Sequence, residues 1–401
     1  MNRNIFRYIP PLVCDFSGTA SVLFSLPVLN LFYCPASCTQ PISECDEIRE
    51  MHDTFVFFSI FGEVKAIMGS DEEFLEEAET LIRKNDDAEL IFIIGTPVPA
   101  IVGSDLVYMA AQLQNKIEKP ILSIPTAGFE SYYSGVYQTL ILLAKTFLSA
   151  QKKDLNQINL IGYTPLSLGY ESNLDEFILA LESEGIKVRG LPRNTRTLEE
   201  FRELSAASLN IVLTHESIGL AQYMEKNFDI PYIAGLPIGR SGLMNLLEKI
   251  GNEFGRTFRI PAKSSSEEKY QNIKKALVIG EPLFASSLAQ CLKEDFGLER
   301  VIPISAQEQE RKLKKSYNDS SLDEVQYISE EIKLKEFVEN FRPDAIFGDP
   351  MYKKFLPMKE SQYIEIPHVG LSGRLYKDMP VAFVGEHGYN WIKEQLNLNA
   401  K

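Results

Sequence analysis

Five cysteines are the residues of this 401-residue chain best suited to metal or redox chemistry. Three of them, Cys34, Cys38 and Cys45, lie in the short stretch LFYCPASCTQPISEC, and the others are Cys14 and Cys291. An odd number of cysteines crowded at one end of a long chain makes a poor disulfide framework, whereas thiolates in a reducing compartment bind metals or act in redox chemistry. We therefore expect a metal or redox site near the N-terminal end.

A zinc site is one interpretation of this cluster. Cys34 and Cys38 have a usual ligand spacing, and Cys45 with His52 would complete four ligands. Ser43 begins a helix-capping pattern, however, so positions 45 to 52 are predicted to form a helix that rises about 10 Å, at roughly 1.5 Å per residue. One tetrahedral ion cannot take ligands from both ends of that span, so Cys45 is better interpreted as a buried helix residue.

The remaining cysteines differ in their local setting. Cys291 lies on the apolar face of a helical pattern, which indicates packing. Cys14 precedes a helix expected to start near Ser17, and Cys38 follows the predicted strand VLNLFY. Loop thiols near helix N-termini lose their proton more easily and can reach a metal. Cys14 and Cys38 are therefore the favoured ligands.

The rest of the chain repeats one unit, a short apolar run followed by an amphipathic helical pattern. The runs are TFVFFSI, ELIFIIG, PILSIP, INLIGY, LNIVLT, PYIAG, ALVIGE, DAIFG and QYIEIP. Continuous apolar runs predict strands buried on both faces, as in parallel sheets with crossover helices. Polar stretches at 149–157 and 261–275 divide the chain into three predicted Rossmann-like α/β domains, at 1–150, 151–265 and 266–401.

Composition excludes several classes of partner. The formal charge of -14 opposes binding to nucleic acid and to anionic membranes. The longest apolar stretch is broken by polar residues and proline, and the N-terminus lacks the pattern of an export signal, so we expect a cytoplasmic protein. The chain also lacks a GxxxxGK[ST] phosphate loop, which predicts that it does not hydrolyse nucleotides itself.

Candidate site residues follow strands, because ligands of α/β folds bind at the carboxyl ends of strands. Two such positions, His215 and Glu281, come directly after predicted strands. His215 is a candidate proton donor, as is His387, which lies near glycines that would let a ligand approach. Arg240 and Arg374 could bind carboxylates of an anionic substrate. Each of these residues could equally occupy a helix cap, a turn or a solvated surface.

The stretch CDFSGTASVLFSLPVLNLFYCPASC resembles the opening of the nitrogenase component 1 family. That family comprises the catalytic partners in nitrogenase, dark protochlorophyllide reductase, chlorophyllide reductase and the nickel-tetrapyrrole reductase of methanogens. Further similar segments follow in the same order, among them IFIIGTPVPAIVGSDL, PILSIPTAGFESYYSGVYQTL and MPVAFVGEHGYNWI. The resemblance covers nearly the whole chain.

The resemblance implies an iron-sulfur cluster. Cys14 and Cys38 match two cluster cysteines of the family, while Pro97 stands at the place of the third and Cys34 at that of a glycine. Two thiolates from each subunit would hold a 4Fe-4S cluster in a homodimer, or in a heterodimer with a paralogue. If Cys34 also ligates, the six thiolates would suit an eight-iron cluster. A chain that has kept the fold and lost the cluster is the alternative.

The resemblance also implies a reaction. Electrons would come from a separate ATP-dependent iron protein, cross the interface cluster and reduce a small-molecule or tetrapyrrole-like substrate in a cleft between the domains. The family's catalytic metallocluster is held partly by a cysteine in the middle domain, and this chain has none between Cys45 and Cys291, so that cofactor is not expected. Two other functions remain open: a scaffold or carrier for metallocofactor assembly, and a cluster-free ligand-binding protein.

Overall fold

A computed structural model describes residues 13–35, 55–61, 69–258, 273–306, 322–357, 362–367 and 382–398. In these ranges the strands form three sheets, and every strand pair is parallel. This confirms the predicted α/β class with parallel sheets. Within the same ranges, no helix combines the length and the apolar character needed to cross a membrane.

The first sheet has the strand order β2-β1-β3-β4. Its strands are β1 (Val28–Pro35), β2 (Phe55–Phe61), β3 (Leu90–Ile94) and β4 (Ile121–Ile124). Its helices are α1 (Asp15–Leu23), α2 (Asp71–Lys84), α3 (Pro97–Val102), α4 (Leu106–Gln114) and α5 (Tyr132–Phe147). Because side chains alternate along β1, Tyr33 packs in one core with α2 and α4, while Phe32 packs in another with α1 and α5.

The second sheet has the order β6-β5-β7-β8. Its strands are β5 (Gln157–Ile161), β6 (Lys187–Arg189), β7 (Leu209–Val212) and β8 (Tyr232–Ala234). Its helices are α6 (Pro165–Leu168), α7 (Asp175–Ser183), α8 (Leu198–Arg202), α9 (Ile218–Phe228) and α10 (Gly239–Glu253). The start of α8 shows how sequence defines a helix end, since the Thr197 hydroxyl accepts from the Glu200 amide and the Glu200 carboxylate accepts from the Thr197 amide.

The third sheet has the order β11-β10-β9-β12-β13. Its strands are β9 (Lys275–Ile279), β10 (Arg300–Ser305), β11 (Gln326–Tyr327), β12 (Ala345–Gly348) and β13 (Gln362–Glu365). The helices that follow β9 are α11 (Pro282–Glu294), α12 (Glu331–Phe341) and α13 (Gly385–Leu398). Each of the nine apolar runs in the sequence overlaps one strand of the three sheets.

The C-terminal helix α13 returns to the second sheet. Ile392 of α13 and Leu247 of α10 belong to one buried cluster. The Gly239 amide donates to the Phe383 carbonyl at 3.0 Å, and the Gly385 amide donates to the Pro237 carbonyl at 3.0 Å. Helix α13 therefore packs against the second sheet although it follows the strands of the third. A division of the chain at residue 265 does not account for this packing. The boundaries of the three domains stay a prediction.

Candidate functional site

Cys14, the first predicted metal ligand, directly precedes α1. The helix begins at Asp15, two residues before the expected start at Ser17, and Cys14 occupies its N-cap position with extended backbone angles. Cys14 also forms an isolated antiparallel bridge with Ser131, at the start of α5. The thiol therefore lies where two helices begin side by side.

A close crossing of α1 and α5 determines the position of Cys14. A Cβ atom added to Gly18 would lie 2.1 Å from the Tyr132 carbonyl oxygen, and one added to Gly135 would lie 1.8 Å from the Asp15 carbonyl oxygen. Real Cβ atoms do not approach backbone atoms so closely, so only glycine allows the two backbones to touch here. Because the contact at Gly135 is made by Asp15, the crossing positions the residue next to Cys14.

The loop before α5 is held against the start of α1 by the carboxylate of Asp15. That carboxylate accepts hydrogen bonds from the backbone amides of Ala127 at 3.2 Å and Gly128 at 2.8 Å. Gly128 has φ +73°, and a Cβ atom there would lie 2.6 Å from Cγ of Pro97. The structure thus brings Pro97, which the sequence resemblance places at the family's third cluster cysteine, against the same loop as Cys14.

The Cys14 thiol is half-buried, and its sulfur lies 3.9 Å from the hydroxyl oxygen of Ser17. Burial raises the pKa of Cys14 to about 11, because a thiolate loses its hydration there. A bare Cys14 is therefore protonated at neutral pH, and only a bound cation would make its thiolate favourable. This setting suits a metal ligand better than a free nucleophile.

The other cysteines lie in different surroundings. Cys34 is 0% exposed in β1 and belongs to the buried cluster against which Cys14 packs. Cys291 is 0% exposed in α11, which confirms its expected packing position, and burial raises its pKa. Cys38 and Cys45 lie outside the described residues. Of the three described thiols, Cys14 alone is accessible enough to meet a partner without rearrangement of the core.

A second group of polar residues lies where elements of the three sheets meet. His215 and Glu216 follow β7, and Glu281 is the N-cap of α11, with its carboxylate accepting from the Phe284 amide at 2.7 Å. The His215 Nδ1 atom lies 2.8 Å from Oε1 of Glu281 and 3.1 Å from Oε2 of Glu216. The His215 amide also donates to Oε1 of Glu281 at 2.8 Å. Two carboxylates therefore converge on one imidazole nitrogen.

This group is sealed from solvent. His215 and Glu216 are 0% exposed and Glu281 is 6% exposed. The ring of Tyr133, from α5, stands edge-on to the imidazole with the ring centroids 4.8 Å apart. On the other side of the segment, Gly162 has φ +90°, and a Cβ atom there would lie 2.3 Å from the Ser217 hydroxyl oxygen. The packing leaves the imidazole no route to a ligand in solvent.

The charges in the group follow from burial and from mutual contact. Burial alone would lower the pKa of His215, but hydrogen bonds and attraction from both carboxylates raise that pKa to about 10. Burial raises the pKa of Glu216. Burial also opposes ionisation of Glu281, but hydrogen bonds from His215 and from the Phe284 amide outweigh it and lower the pKa of Glu281. The histidine and Glu281 thus form a buried ion pair.

Two other predicted site residues lie together at the starts of α10 and α13. Arg240 pairs with Glu386, and its guanidinium lies 3.6 Å from the ring centroid of Tyr389. His387, with a side chain that is 80% exposed, has Nδ1 3.3 Å from Oε2 of Glu176. Arg374, the other predicted substrate ligand, lies outside the described residues.

The structure separates the two predicted catalytic histidines. Glu281 contacts His215 at the start of α11, whereas the Ser241 amide, beside Arg240, donates to Asp295 just after the end of that helix. The thirteen residues of α11 span about 20 Å at roughly 1.5 Å per residue. His215 is completely buried beside Glu281, whereas the side chain of His387 is 80% exposed and lies beside Glu176, so the two histidines have different surroundings.

Sequence reasoning overlooked two residues of the buried group. Glu216 is adjacent to His215, and a pair of ionisable residues directly after a buried strand is a signal that could have been used. Tyr133 belongs to a helix of the first sheet, 82 positions before His215 in the sequence. Only the tertiary structure brings its ring to the imidazole.

Comparisons with known proteins identify the family of this chain. The sequence profile of the nitrogenase component 1 type oxidoreductases matches residues 14–377. The chain is 24% identical over 392 residues to one of the subunits of light-independent protochlorophyllide reductase from Staurastrum punctulatum, covering 86% of this chain and 74% of that protein. It is 22% identical over 382 residues to the corresponding protein of Crocosphaera subtropica, with coverages of 86% and 73%.

The fold also matches solved structures. A structure of nitrogenase Cp1 at pH 6.5 superposes with a TM-score of 0.72 at 15% sequence identity, covering 99% of this chain and 94% of that chain. The match extends over the three parallel sheets, and the family profile begins at Cys14 itself. The chain belongs to the nitrogenase component 1 type oxidoreductase family.

Proposed function

We propose that this chain is the catalytic component of a nitrogenase-like reductase, with an iron-sulfur cluster at the interface of two subunits. The observation that carries the proposal is the setting of Cys14. This half-buried thiol, which the sequence resemblance matches to a cluster cysteine of the family, lies at the start of α1, next to a backbone crossing that requires glycine. Cysteine is not a usual N-cap residue and the thiol makes no capping hydrogen bond here, so helix capping does not explain its presence.

Cys14 and Cys38 of each subunit would hold the cluster. Four thiolates are the usual ligands of a 4Fe-4S cluster, and two subunits related by a two-fold axis supply them in pairs. Such a cluster supplies storage and transfer of single electrons. Cys34 would join the ligands of a larger eight-iron cluster only if β1 opened, because its side chain is fully buried.

The residues around Cys14 would keep the thiol in place. Asp15 holds the loop at Ala127 and Gly128, so the start of α1 and the loop before α5 move as one body. The N-terminus of α1 carries a partial positive charge, which favours an anionic thiolate or cluster beside it. A rigid setting limits the rearrangement that each electron transfer requires.

The substrate would bind in the cleft between the domains. The two sequence relatives are reductases of protochlorophyllide, which favours a tetrapyrrole-like molecule or another small anionic molecule. Arg240 would bind a substrate carboxylate in place of the carboxylate of Glu386. Arg374 stays a predicted second contact with the substrate. Of the two predicted proton donors, we favour His387, because His215 is sealed from solvent.

Dependence on an external electron donor tests this function. The purified chain, kept anaerobic, should neither hydrolyse ATP nor reduce protochlorophyllide or another tetrapyrrole. Addition of an ATP-dependent iron protein from the same cells, with MgATP, should start reduction, because the chain contains no phosphate-binding loop of its own.

Three outcomes decide the experiment. Reduction that requires both the iron protein and MgATP supports the proposal. Robust ATP hydrolysis by the pure chain contradicts it. A chain that carries a bound metallocofactor and shows no turnover with any donor would instead be a scaffold or carrier.

A further inference from the structure

The proposed electron path does not use His215, Glu216 and Glu281, which are buried ionisable residues that contact one another. They come from two separate segments, one after β7 in the second sheet and one before α11 in the third. Burying an ionised carboxylate is unfavourable unless a cation or hydrogen bonds compensate its charge. Charged side chains that are fully buried are normally paired or bound to a metal.

The imidazole by itself cannot compensate both carboxylates well. Its Nδ1 atom carries a single hydrogen, and that hydrogen serves Glu281 at 2.8 Å, while an oxygen of Glu216 lies 3.1 Å from the same nitrogen. The other ring nitrogen, Nε2, has no hydrogen-bond partner among the described residues, although the side chain is 0% exposed. Two buried carboxylates and one buried imidazole nitrogen are thus held in direct contact.

The same three side chains have the geometry of a metal site. One ligand atom from each can be chosen so that all three lie within 4.8 Å of one another. Ligands about 2.1 Å from a tetrahedral ion are roughly 3.4 Å apart. The His215 Nδ1 atom lies 2.8 Å from Oε1 of Glu281 and 3.1 Å from Oε2 of Glu216. Both distances would need to increase by only a few tenths of an ångström to admit an ion.

We propose that His215, Glu216 and Glu281 bind one divalent first-row transition ion, of the class of Zn²⁺ or Fe²⁺, which links the second sheet to the third. One nitrogen and two carboxylate oxygens suit such an ion, whereas Mg²⁺ or Ca²⁺ would require more oxygen ligands. The ion replaces the hydrogen on Nδ1, which leaves as a proton. The site contains no cysteine, so it does not depend on the proposed cluster.

Cobalt provides the test, because Co²⁺ occupies zinc and iron sites and can be counted. Because the site is sealed in the folded protein, the full chain is unfolded anaerobically in denaturant that contains a chelator, refolded with excess Co²⁺ and dialysed against buffer. Cobalt per chain is then measured by elemental analysis. His215→Gln, Glu216→Gln and Glu281→Gln should each bind one cobalt per chain fewer than the parent. The cysteines are unchanged in every variant, so any cobalt bound by thiolates cancels in the difference.

Glu331→Gln is the matched control, since Glu331 is also buried, at 7% exposure, but lies outside the group. It should bind as much cobalt as the parent. Thermal unfolding provides a second readout: Co²⁺ should raise the melting temperature of the parent by several degrees and leave that of Glu216→Gln unchanged. Equal cobalt content in the parent and all three variants, or a melting temperature of the parent that Co²⁺ does not raise, would overturn the proposal.

Discussion

Replacement of Cys14 by serine should remove most of the bound iron and the visible charge-transfer absorption of the anaerobic protein. Serine is a harder and more basic ligand than a thiolate and binds iron in such clusters weakly. In the half-buried setting of Cys14 the exchange of sulfur for a hydroxyl should cost only about 1 to 2 kcal/mol of folding stability. The protein should therefore remain folded while it loses the cluster. Iron and sulfide per chain, together with the absorption spectrum, are the measurements.

Three further serine variants provide the comparisons needed to interpret the iron content of Cys14→Ser. Cys38→Ser should lose iron like Cys14→Ser, because the sequence resemblance matches both residues to cluster cysteines of the family. Cys291→Ser should retain the iron of the parent, since its side chain lies in the core of α11. Loss of iron in Cys34→Ser would indicate three thiolates per subunit, and retention would indicate two. If all four variants carried as much iron per chain as the parent, these cysteines would not be the ligands of the cluster.

Gly135→Ala should destabilise the protein by at least about 3 kcal/mol, although alanine normally stabilises a helix relative to glycine by up to about 1 kcal/mol. One contact explains why the substitution should lower the stability here instead of raising it. The new methyl group would lie 1.8 Å from the backbone oxygen of Asp15, and no side-chain rotation can relieve a contact with backbone. The helices α1 and α5 must separate, which also displaces Cys14. The midpoint of urea unfolding measures the effect.

Gly280→Ala is the control for that substitution. The nearest atom to an added Cβ at Gly280 is Cδ1 of Phe284, at 3.8 Å, which is an ordinary van der Waals contact. The free energy of unfolding of the Gly280→Ala variant should stay within about 1 kcal/mol of the parent value. If Gly135→Ala were as stable as Gly280→Ala, the close backbone crossing would not exist in solution.

The sequence was sufficient to predict the strands that are continuous apolar runs, but three strands were overlooked. β10 contains Pro303, which lacks an amide hydrogen and normally argues against a strand within a sheet. β6 is an edge strand of three residues with Lys187 and Arg189 at its ends, and β11 has only two residues. Their pairing partners, rather than their own composition, make them strands.

Local patterns also misplaced the start of α1. Cys14 is not a usual N-cap residue, so the sequence pattern favoured a helix start near Ser17. In the structure the helix starts at Asp15, whose carboxylate accepts hydrogen bonds from the amides of Ala127 and Gly128 in a distant loop. The rule that ligands bind after strands selected His215 and Glu281 as candidates, and the structure places these two residues in contact. Their contact with each other and with Tyr133, and the separation of His215 from His387, depend on how distant elements pack, which no local pattern encodes.

Native mass spectrometry of the anaerobic protein tests the shared cluster most directly, because it reports the number of chains and the bound iron in one particle. We predict a dimer of about twice the 45.3 kDa chain mass, or a heterodimer with a paralogue, that carries a single 4Fe-4S cluster or one larger eight-iron cluster. Cys14→Ser should yield a particle without this added mass. A monomer that retains the full iron content of the preparation would contradict a cluster shared between two chains.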